Sequence, residues 1–356
     1  MVPIFIGSVS RFSGKNLIGL GLGMRFQQAG LKVGYFKPIG MAPRKIGDTT
    51  TDVDAEFFAE ALSLTEPLEQ ICPVTLTREF MREALGGQAT DVKQKIRDAY
   101  NKVSADKDVL IIGGIGNLHN GLFVDAPQID FIRDIGAKAI ILDNFEISHD
   151  SLDGFLWAKD TLADNLAGVI FNRVSTRTVD FLNQYAVPFL EKKGVRTLGI
   201  IPKDPILGAA PVRDLSEILH ADVLCCDDQL DELVEHVTIG AMNVESALRH
   251  FRMVHNKAVI TGGDRSDIQL AALETSTRCL ILTGELYPND LIVGRAQQAK
   301  VPILVVRHAT ADTVERCEHI MGRLSLRNEK KLNRALEIID TQMDLKGFGE
   351  MVGLKL

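Results

Sequence analysis

The stretch Ile4–Leu22, IFIGSVSRFSGKNLIGLGL, constrains the fold more than any other. A continuous apolar run ends in a glycine loop, Gly14-Lys15 follows, and a helix-length segment begins at once. Such a run reads as a strand covered on both faces. The helix after it would turn main-chain N–H groups and the positive end of its dipole toward the loop, and Lys15 could reach the terminal phosphates of an anion held there. Gly7, Ser13, Gly14, Lys15 and Asn16 are therefore candidate phosphate contacts. The spacing is longer than the general phosphate-loop pattern, with six residues between Gly7 and Gly14 where four are usual. Asn16 stands where Ser or Thr would offer a hydroxyl to Mg²⁺, and supplies a neutral carbonyl oxygen instead. A glycine-rich strand-to-helix turn that binds nothing is the alternative.

The pattern repeats along the chain. Apolar runs at Pro3–Ile6, Lys32–Phe36, Asp108–Ile112, Ala137–Leu142, Gly168–Phe171 and Thr197–Ile200 alternate with helix-length segments such as Leu17–Gln28 and Asp52–Leu62. This alternation predicts an α/β fold with a doubly wound parallel sheet, like that of P-loop NTPases, with loops carrying function along its carboxyl edge. A smaller α/β domain follows. Its strands are expected at Ala258–Thr261, Cys279–Leu282 and Ile303–Val306, and its helices near Val244–Phe251, Asp267–Glu274, Asn289–Gln298 and Ala311–Met321. The segment DPILGAAPVRD marks the boundary, because two prolines and a glycine interrupt the periodicity there. The expected division is 1–210, 211–325 and a helical tail, 326–356. Leu332, Leu336 and Ile339 form a stripe on that tail that needs a partner, either this chain's own body or another subunit.

Composition narrows the function. Lys plus Arg is 40 and Asp plus Glu is 47 among 356 residues, a net charge of −7 that lacks the overall field of a nonspecific nucleic-acid binder. No apolar run reaches the ~18 residues of a membrane span. The five cysteines are odd in number and form no C-x-x-C pair, which fits a reduced, cytoplasmic thiol inventory. The first residues lack a basic region before the apolar stretch and read as a strand, not an export signal. The eight histidines show no H-E-x-x-H or comparable spacing.

Lys37 ends the second strand. If the first two strands are neighbours, it emerges near Lys15, and two cations there suit a polyphosphate; a solvated strand-end lysine is the bland alternative. Asp52 and Asp54 lie at a helix start, where Asp52 suits capping and Asp54 a metal contact. In the second domain, ITGGDRSDIQ repeats the order strand, glycine turn, helix. Gly262 and Gly263 allow close backbone approach. Asp264 and Arg265 could meet a small polar ligand, and Ser266 or Asp267 could cap the helix. Thr283, Gly284, His308, Thr310 and Thr313 fall after neighbouring strands and could line one crevice. An Asp264–Arg265 pair that orders a subunit contact is the other reading.

IGSVSRFSGKN, YFKPIG, Asp54-Ala55 and GVIFNRV resemble dethiobiotin synthetase and its relatives. The resemblance is nearer to the dethiobiotin-synthetase-like N-terminal region of long phosphate acetyltransferases. GAMNVESALRHF, KAVITGGDRSDIQLAALE and LILTGELYP resemble the DRTGG-type domain that follows it there. Together the two cover roughly residues 1–325. The resemblance implies that Gly14 and Lys15 contact phosphate, that Lys37 is a second phosphate or substrate contact, that Asp54 binds Mg²⁺ and that Asn172 reads an adenine edge. In the ligases a Glu at the end of the third strand binds Mg²⁺, and Gly113 fills that position here. With Asn16 also departing, the metal-ligand set is depleted.

The expectation is therefore a cytoplasmic, nucleotide-binding regulatory or sensor protein that binds ATP or a related nucleotide, is a homodimer, and contacts neither nucleic acid nor membrane. Phosphate acetyltransferase activity is not expected of this chain alone, because the catalytic domain of those enzymes has no counterpart in it. The alternatives are an ATP-dependent carboxylate-activating ligase, with Asp52 or Asp125 as replacement metal ligands, and a non-catalytic interaction subunit of an acetyltransferase.

Overall fold

The computed structural model describes residues 1–10, 13–88, 91–145, 150–321 and 328–354. It divides into two compact units, Met1–Lys203 with Ala335–Leu356, and Asp204–Arg334.

The first unit is built on a six-stranded parallel sheet. Its strands are β1 (Val2–Ser8), β2 (Val33–Phe36), β3 (Val109–Gly113), β4 (Lys138–Asn144), β5 (Leu166–Val174) and β6 (Thr197–Pro202), in the order β6-β5-β4-β1-β3-β2. The six expected apolar runs all lie on these strands. The condition attached to Lys37 is not met: β1 and β2 are not neighbours, because β3 pairs with both. The connecting helices are α1 (Lys15–Gln28), α2 (Val53–Ala61), α3 (Val92–Ser104), α4 (Gln128–Asp134) and α5 (Asp150–Leu162). Strands with helices on both faces must be apolar throughout, and β1 and β3 are buried nearly end to end.

The glycines of GLGLG serve packing. A Cβ on Gly19 would stand 2.9 Å from the Phe58 ring, and one on Gly21 would strike the Ile339 side chain. Ile339 lies on α7 (Glu329–Gln342), whose residues from Ala335 onward belong to the first unit. Arg25 Nε donates to Asp340 Oδ1 at 2.6 Å, and Gly199 bridges Met343 at the β6 edge. The partner of the tail is thus this chain's own first unit. The buried face centres on Ala335, Ile338 and Ile339, with Leu336 half-buried.

The second unit carries a five-stranded sheet. It comprises β7 (Asp222–Cys225), β8 (His236–Ile239), β9 (Lys257–Gly262), β10 (Thr277–Thr283) and β11 (Ile303–Val305), in the order β7-β11-β10-β9-β8. The sequence reading anticipated only the three central strands. β7 and β8 are edge strands of four residues each, mostly exposed or half-buried, and too short to carry a clear apolar run. β7 runs antiparallel to β11. Helix α6 (Ser266–Leu273) follows β9.

Candidate functional site

The register of β1 against its neighbours brings Gly7-Ser8, Gly113, Asp143 and Asn172 to one carboxyl edge. Ser8, Ser10, Ser13 and Gly14 lie along that edge. They are fastened at three described points, each to a different strand end. Ser8 Oγ lies 2.9 Å from Gly116 O beyond β3 and 2.7 Å from Ser10 O, either of which can accept its one hydroxyl hydrogen. Ser10 Oγ donates to the buried Asp143 carboxylate on β4, which also accepts from Ser151 Oγ in α5. Asn172 Nδ2, on β5, donates to Ser13 O at 2.7 Å. Asp143, Ser10 and Ser151 escaped the sequence reading, since an Asp after an apolar run carries no distinguishing signal.

Gly14 takes φ 87° at the N-cap of α1, a left-handed conformation that favours glycine, and no side chain caps the helix. The first-turn amides of α1 therefore lack the usual side-chain acceptor. Lys15, half-buried, opens the helix, and its Nζ donates to Ser8 Oγ at 2.9 Å and Gly116 O at 3.0 Å. No carboxylate among the described residues lies within ion-pair distance of it. Burial and the charge of Lys37 pull its pKa down to about 8, against an opposing pull from Asp54. Among the described residues the buried Ser13 Oγ has no partner. Uncapped amides, an ammonium without a counter-ion and an orphan hydroxyl fit an anion.

Lys37 does reach this edge. Its Nζ lies 2.6 Å from Asp54 Oδ2, while Asn16 Nδ2 donates to Asp54 Oδ1 at 2.7 Å. Burial works against the Lys37 ammonium, but Asp54, with Tyr35 and Asp52 behind it, outweighs it and raises the pKa above the usual lysine value. Burial likewise pushes Asp54 up, and Lys37 with Asn16 holds it below the usual carboxylate range. Both oxygens of the candidate metal ligand are thus taken within the chain. Asp52 acts as the expected cap: Oδ1 accepts from Asp54 N at 2.9 Å, and Oδ2 from Ala42 N at 2.8 Å. Gly113 cannot be restored to a carboxylate in place, since a Cβ there would run into the Tyr35 hydroxyl. Asp125 sits on an exposed turn. Among the described residues no three His, Cys, Asp or Glu gather as a metal cluster. The site fits a phosphate; its donor set does not fit a tightly held Mg²⁺.

Asn172 was expected to read an adenine edge. In this structure its Nδ2 donates to Ser13 O at 2.7 Å and its Oδ1 accepts from Arg173 N at 2.9 Å, each atom keeping capacity for a second bond.

In the second unit Gly262 and Gly263 end β9. A Cβ on Gly263 would strike the main chain at Leu286, so close approach is required there. Arg265 pairs with Asp267 at 3.1 Å, not with Asp264, and its Nη2 donates to Met242 O at 3.1 Å. Neither Ser266 nor Asp267 caps α6; Arg265 occupies the N-cap without a side-chain bond. Thr283 and Thr310 hydroxyls lie 3.1 Å apart, while buried Thr313 is spent on Ala309 O. Gly284, at φ 81°, turns the chain after β10. The structure brings Gly262–Arg265 together with α6 and Thr283 with Thr310, the two groups flanking adjacent strands.

Residues 3–211 match a family model described as an AAA domain, and residues 214–320 match the DRTGG domain. The chain is 27% identical over 375 residues to a phosphate acetyltransferase of Pseudomonas putida, covering 99% of this chain and 52% of that protein. It thus spans about half the length of the phosphate acetyltransferases it resembles. It is 24% identical over 202 residues to the ATP-dependent dethiobiotin synthetase BioD of Methanocaldococcus jannaschii, covering 56% of this chain and 92% of that one. A solved structure of the septum site-determining protein MinD from Pyrococcus horikoshii, complexed with Mg-ADP, matches 58% of the chain and 83% of its own, at 20% identity and a TM-score of 0.35. No helix among the described residues is long and apolar enough to cross a membrane.

Proposed function

Because the chain belongs to the AAA-domain family over residues 3–211, we propose that its first unit binds the phosphates of a nucleotide, ATP foremost, and that the protein is a regulatory or sensor component rather than a phosphoryl-transfer catalyst. One observation carries this reading. The Lys15 ammonium stands at the uncapped start of α1 with a hydroxyl and a carbonyl as its partners, while Asp54 is committed to Lys37 and Asn16. An anion meets the ammonium and the helix amides together. Phosphoryl transfer leans on a divalent ion to neutralise developing charge, and the carboxylates that would hold one are engaged or absent. Gly7, Ser13, Gly14, Lys15 and Asn16 would cradle the phosphates. Lys37 would act through Asp54, and Asn172 through the loop it fastens.

The glycine turn and α6 of the second unit, with Gly262, Gly263, Asp264, Arg265, Asp267, Thr283 and Gly284, would hold a second small anionic effector or meet a partner. A homodimer is the expected assembly. The test is ATP titration in EDTA and in Mg²⁺, with phosphate release followed in parallel. Binding of similar strength in both, with hydrolysis at background and loss of binding in Lys15→Ala, supports the reading. A Mg²⁺ requirement with brisk turnover overturns it in favour of an ATP-dependent ligase, the reading favoured by the match over most of a dethiobiotin synthetase's length. Co-purification with an acetyltransferase would mark an interaction subunit instead, the role favoured by the match to half of the acetyltransferase relatives.

A further inference from the structure

A cavity of about 250 Å³ lies between α3 and α4 at the carboxyl end of β3. Pro38, Ile39, Ile96, Ile115, Ala126 and Phe131 form its apolar wall. The polar side chains that line it are all engaged elsewhere. Gln128 Oε1 accepts from Ile115 N at 2.6 Å, and its Nε2 donates to Ile115 O at 3.0 Å and Asn117 O at 2.8 Å. Gln94 Nε2 donates to Asp98 at 2.8 Å. At the mouth, Lys93 pairs with Asp130 at 3.6 Å and Arg97 with Asp134 at 2.7 Å, so two ion pairs span from α3 to α4.

This inventory decides the chemistry of an occupant. A charged ligand would lose its hydration and find no uncommitted partner, because each cation and amide at the cavity already has one. An apolar ligand loses nothing and fills a void whose cost to the fold grows with its volume. The ion pairs at the mouth are about half exposed, with side-chain accessibilities from 48 to 61%, so they face solvent at the rim and leave the apolar interior to the ligand. An engineered cavity of about 150 Å³ stays dry and holds benzene, so one of 250 Å³ takes roughly ten carbon atoms by proportion.

We propose that the α3–α4 cavity is a binding site for a neutral, largely hydrocarbon small molecule, a fused-ring or medium-chain compound. It shares Gly113 with the carboxyl edge of the phosphate site but is lined by none of Gly7, Ser13, Gly14, Lys15 and Asn16, and it does not depend on how that site is read. The test uses the full chain with ¹³C-labelled isoleucine δ1 methyls, titrated with indole, with octan-1-ol and with octanoate. Indole and octanol should shift Ile39, Ile96 and Ile115 saturably while Ile260 and Ile281 of the second unit stay in place. Octanoate, the same chain length with a charge, should bind at least tenfold more weakly. Ala126→Phe, which fills the cavity, should abolish the shifts. Gln94→Trp, on the exposed mouth, should weaken them and serves if the first variant fails to fold. Absence of saturable shifts, shifts spread equally over both units, octanoate binding as tightly as octanol, or wild-type binding by a folded variant would each overturn the assignment.

Discussion

Raising the pH from 7 to 9.5 should strip the proton from Lys15 and with it most of the affinity for a phosphate. In the ligand-free protein the Lys15 pKa is about 8. If only the ammonium form binds, and the bound anion holds the proton throughout this range, affinity follows the protonated fraction of the free state. That fraction falls about thirtyfold between pH 7 and 9.5, equivalent to roughly 2 kcal/mol. Phosphate is already fully ionised over most of the range, its second pKa being about 6, so the change reports the lysine. Lys37 is held above the usual lysine value by Asp54 and does not titrate in this window. Stability should move the other way. A lysine whose folded pKa lies below its unfolded value costs the fold stability while protonated, so unliganded protein becomes more stable as pH rises from about 8 toward 10.5. Lys257 in the second unit, also lowered to about 8 by burial, adds a similar trend. The clean quantity is therefore the difference between wild type and Lys15→Met. The assay is calorimetric ATP titration in EDTA at half-unit pH steps, with Lys15→Arg as a control that stays charged throughout. A change below about threefold in wild type, or an equal slope in Lys15→Arg, would refute the assignment of Lys15 as the anion's counter-charge.

Gly14→Ala should lower nucleotide affinity and stability together, by about 1–2 kcal/mol in stability, because it forces a Cβ into the left-handed region and onto Asn172 Nδ2. Adding Asn172→Ala should recover part of the steric loss in thermal unfolding; no recovery would mean that the clash is absent. Asp143→Ala should free Ser10 and weaken ATP binding about tenfold, measured by titration, while Ser10→Ala added to it costs little more, since both remove one bond. Additive losses would show that the two act separately. Asp54→Asn leaves the Lys37 ammonium buried without its counter-charge and should cost about 2–3 kcal/mol by urea unfolding at pH 7. The Asp54 pKa is lowered, so this contribution is present above the ordinary carboxylate pKa and is lost as pH falls below it. A loss that instead scales with added Mg²⁺ would restore Asp54 as a metal ligand.

The first unit was legible because its physics is carried by contiguous residues. A strand covered on both faces must be an apolar run, so β1 through β6 announced themselves. Strand order is another matter. β3 enters between β1 and β2, and nothing within those three segments records which of them pair, since each would bury equally well beside either neighbour. The edge strands β7 and β8 hid for another reason: Asp222–Cys225 and His236–Ile239 are four residues each and half exposed, too short for a run that stands out. The tail was seen as a helix with an unpaired stripe. That its partner is α1 follows from Gly21, whose missing Cβ makes the groove that Ile339 fills, a match visible only when both are placed.

At the site, Lys15 and Gly14 were legible as a motif, whereas what holds them was not. A loop with six residues between its glycines has more conformations to lose than the usual one with four, and a preformed cradle requires that cost to be met before an anion arrives. Here it is met by separate strand ends. Gly116 beyond β3, Asp143 on β4 and Asn172 on β5 each take one loop residue, and each uses a different chemical group to do it. No spacing rule links positions 8, 10 and 13 to 116, 143 and 172, because the link is the register of a parallel sheet. The same register gives Asn172 a use beside the adenine-edge role that the resemblance implies. A residue able to donate and accept at a strand's carboxyl end suits a purine edge and a loop peptide equally well, and Ser13 supplies the peptide here. A nucleotide bound here would be gripped by its phosphates more than by its base, so discrimination between ATP and GTP should be slight, within about threefold in a competition titration. A preference of a hundredfold for either base would mean that some other edge-reading group is in place.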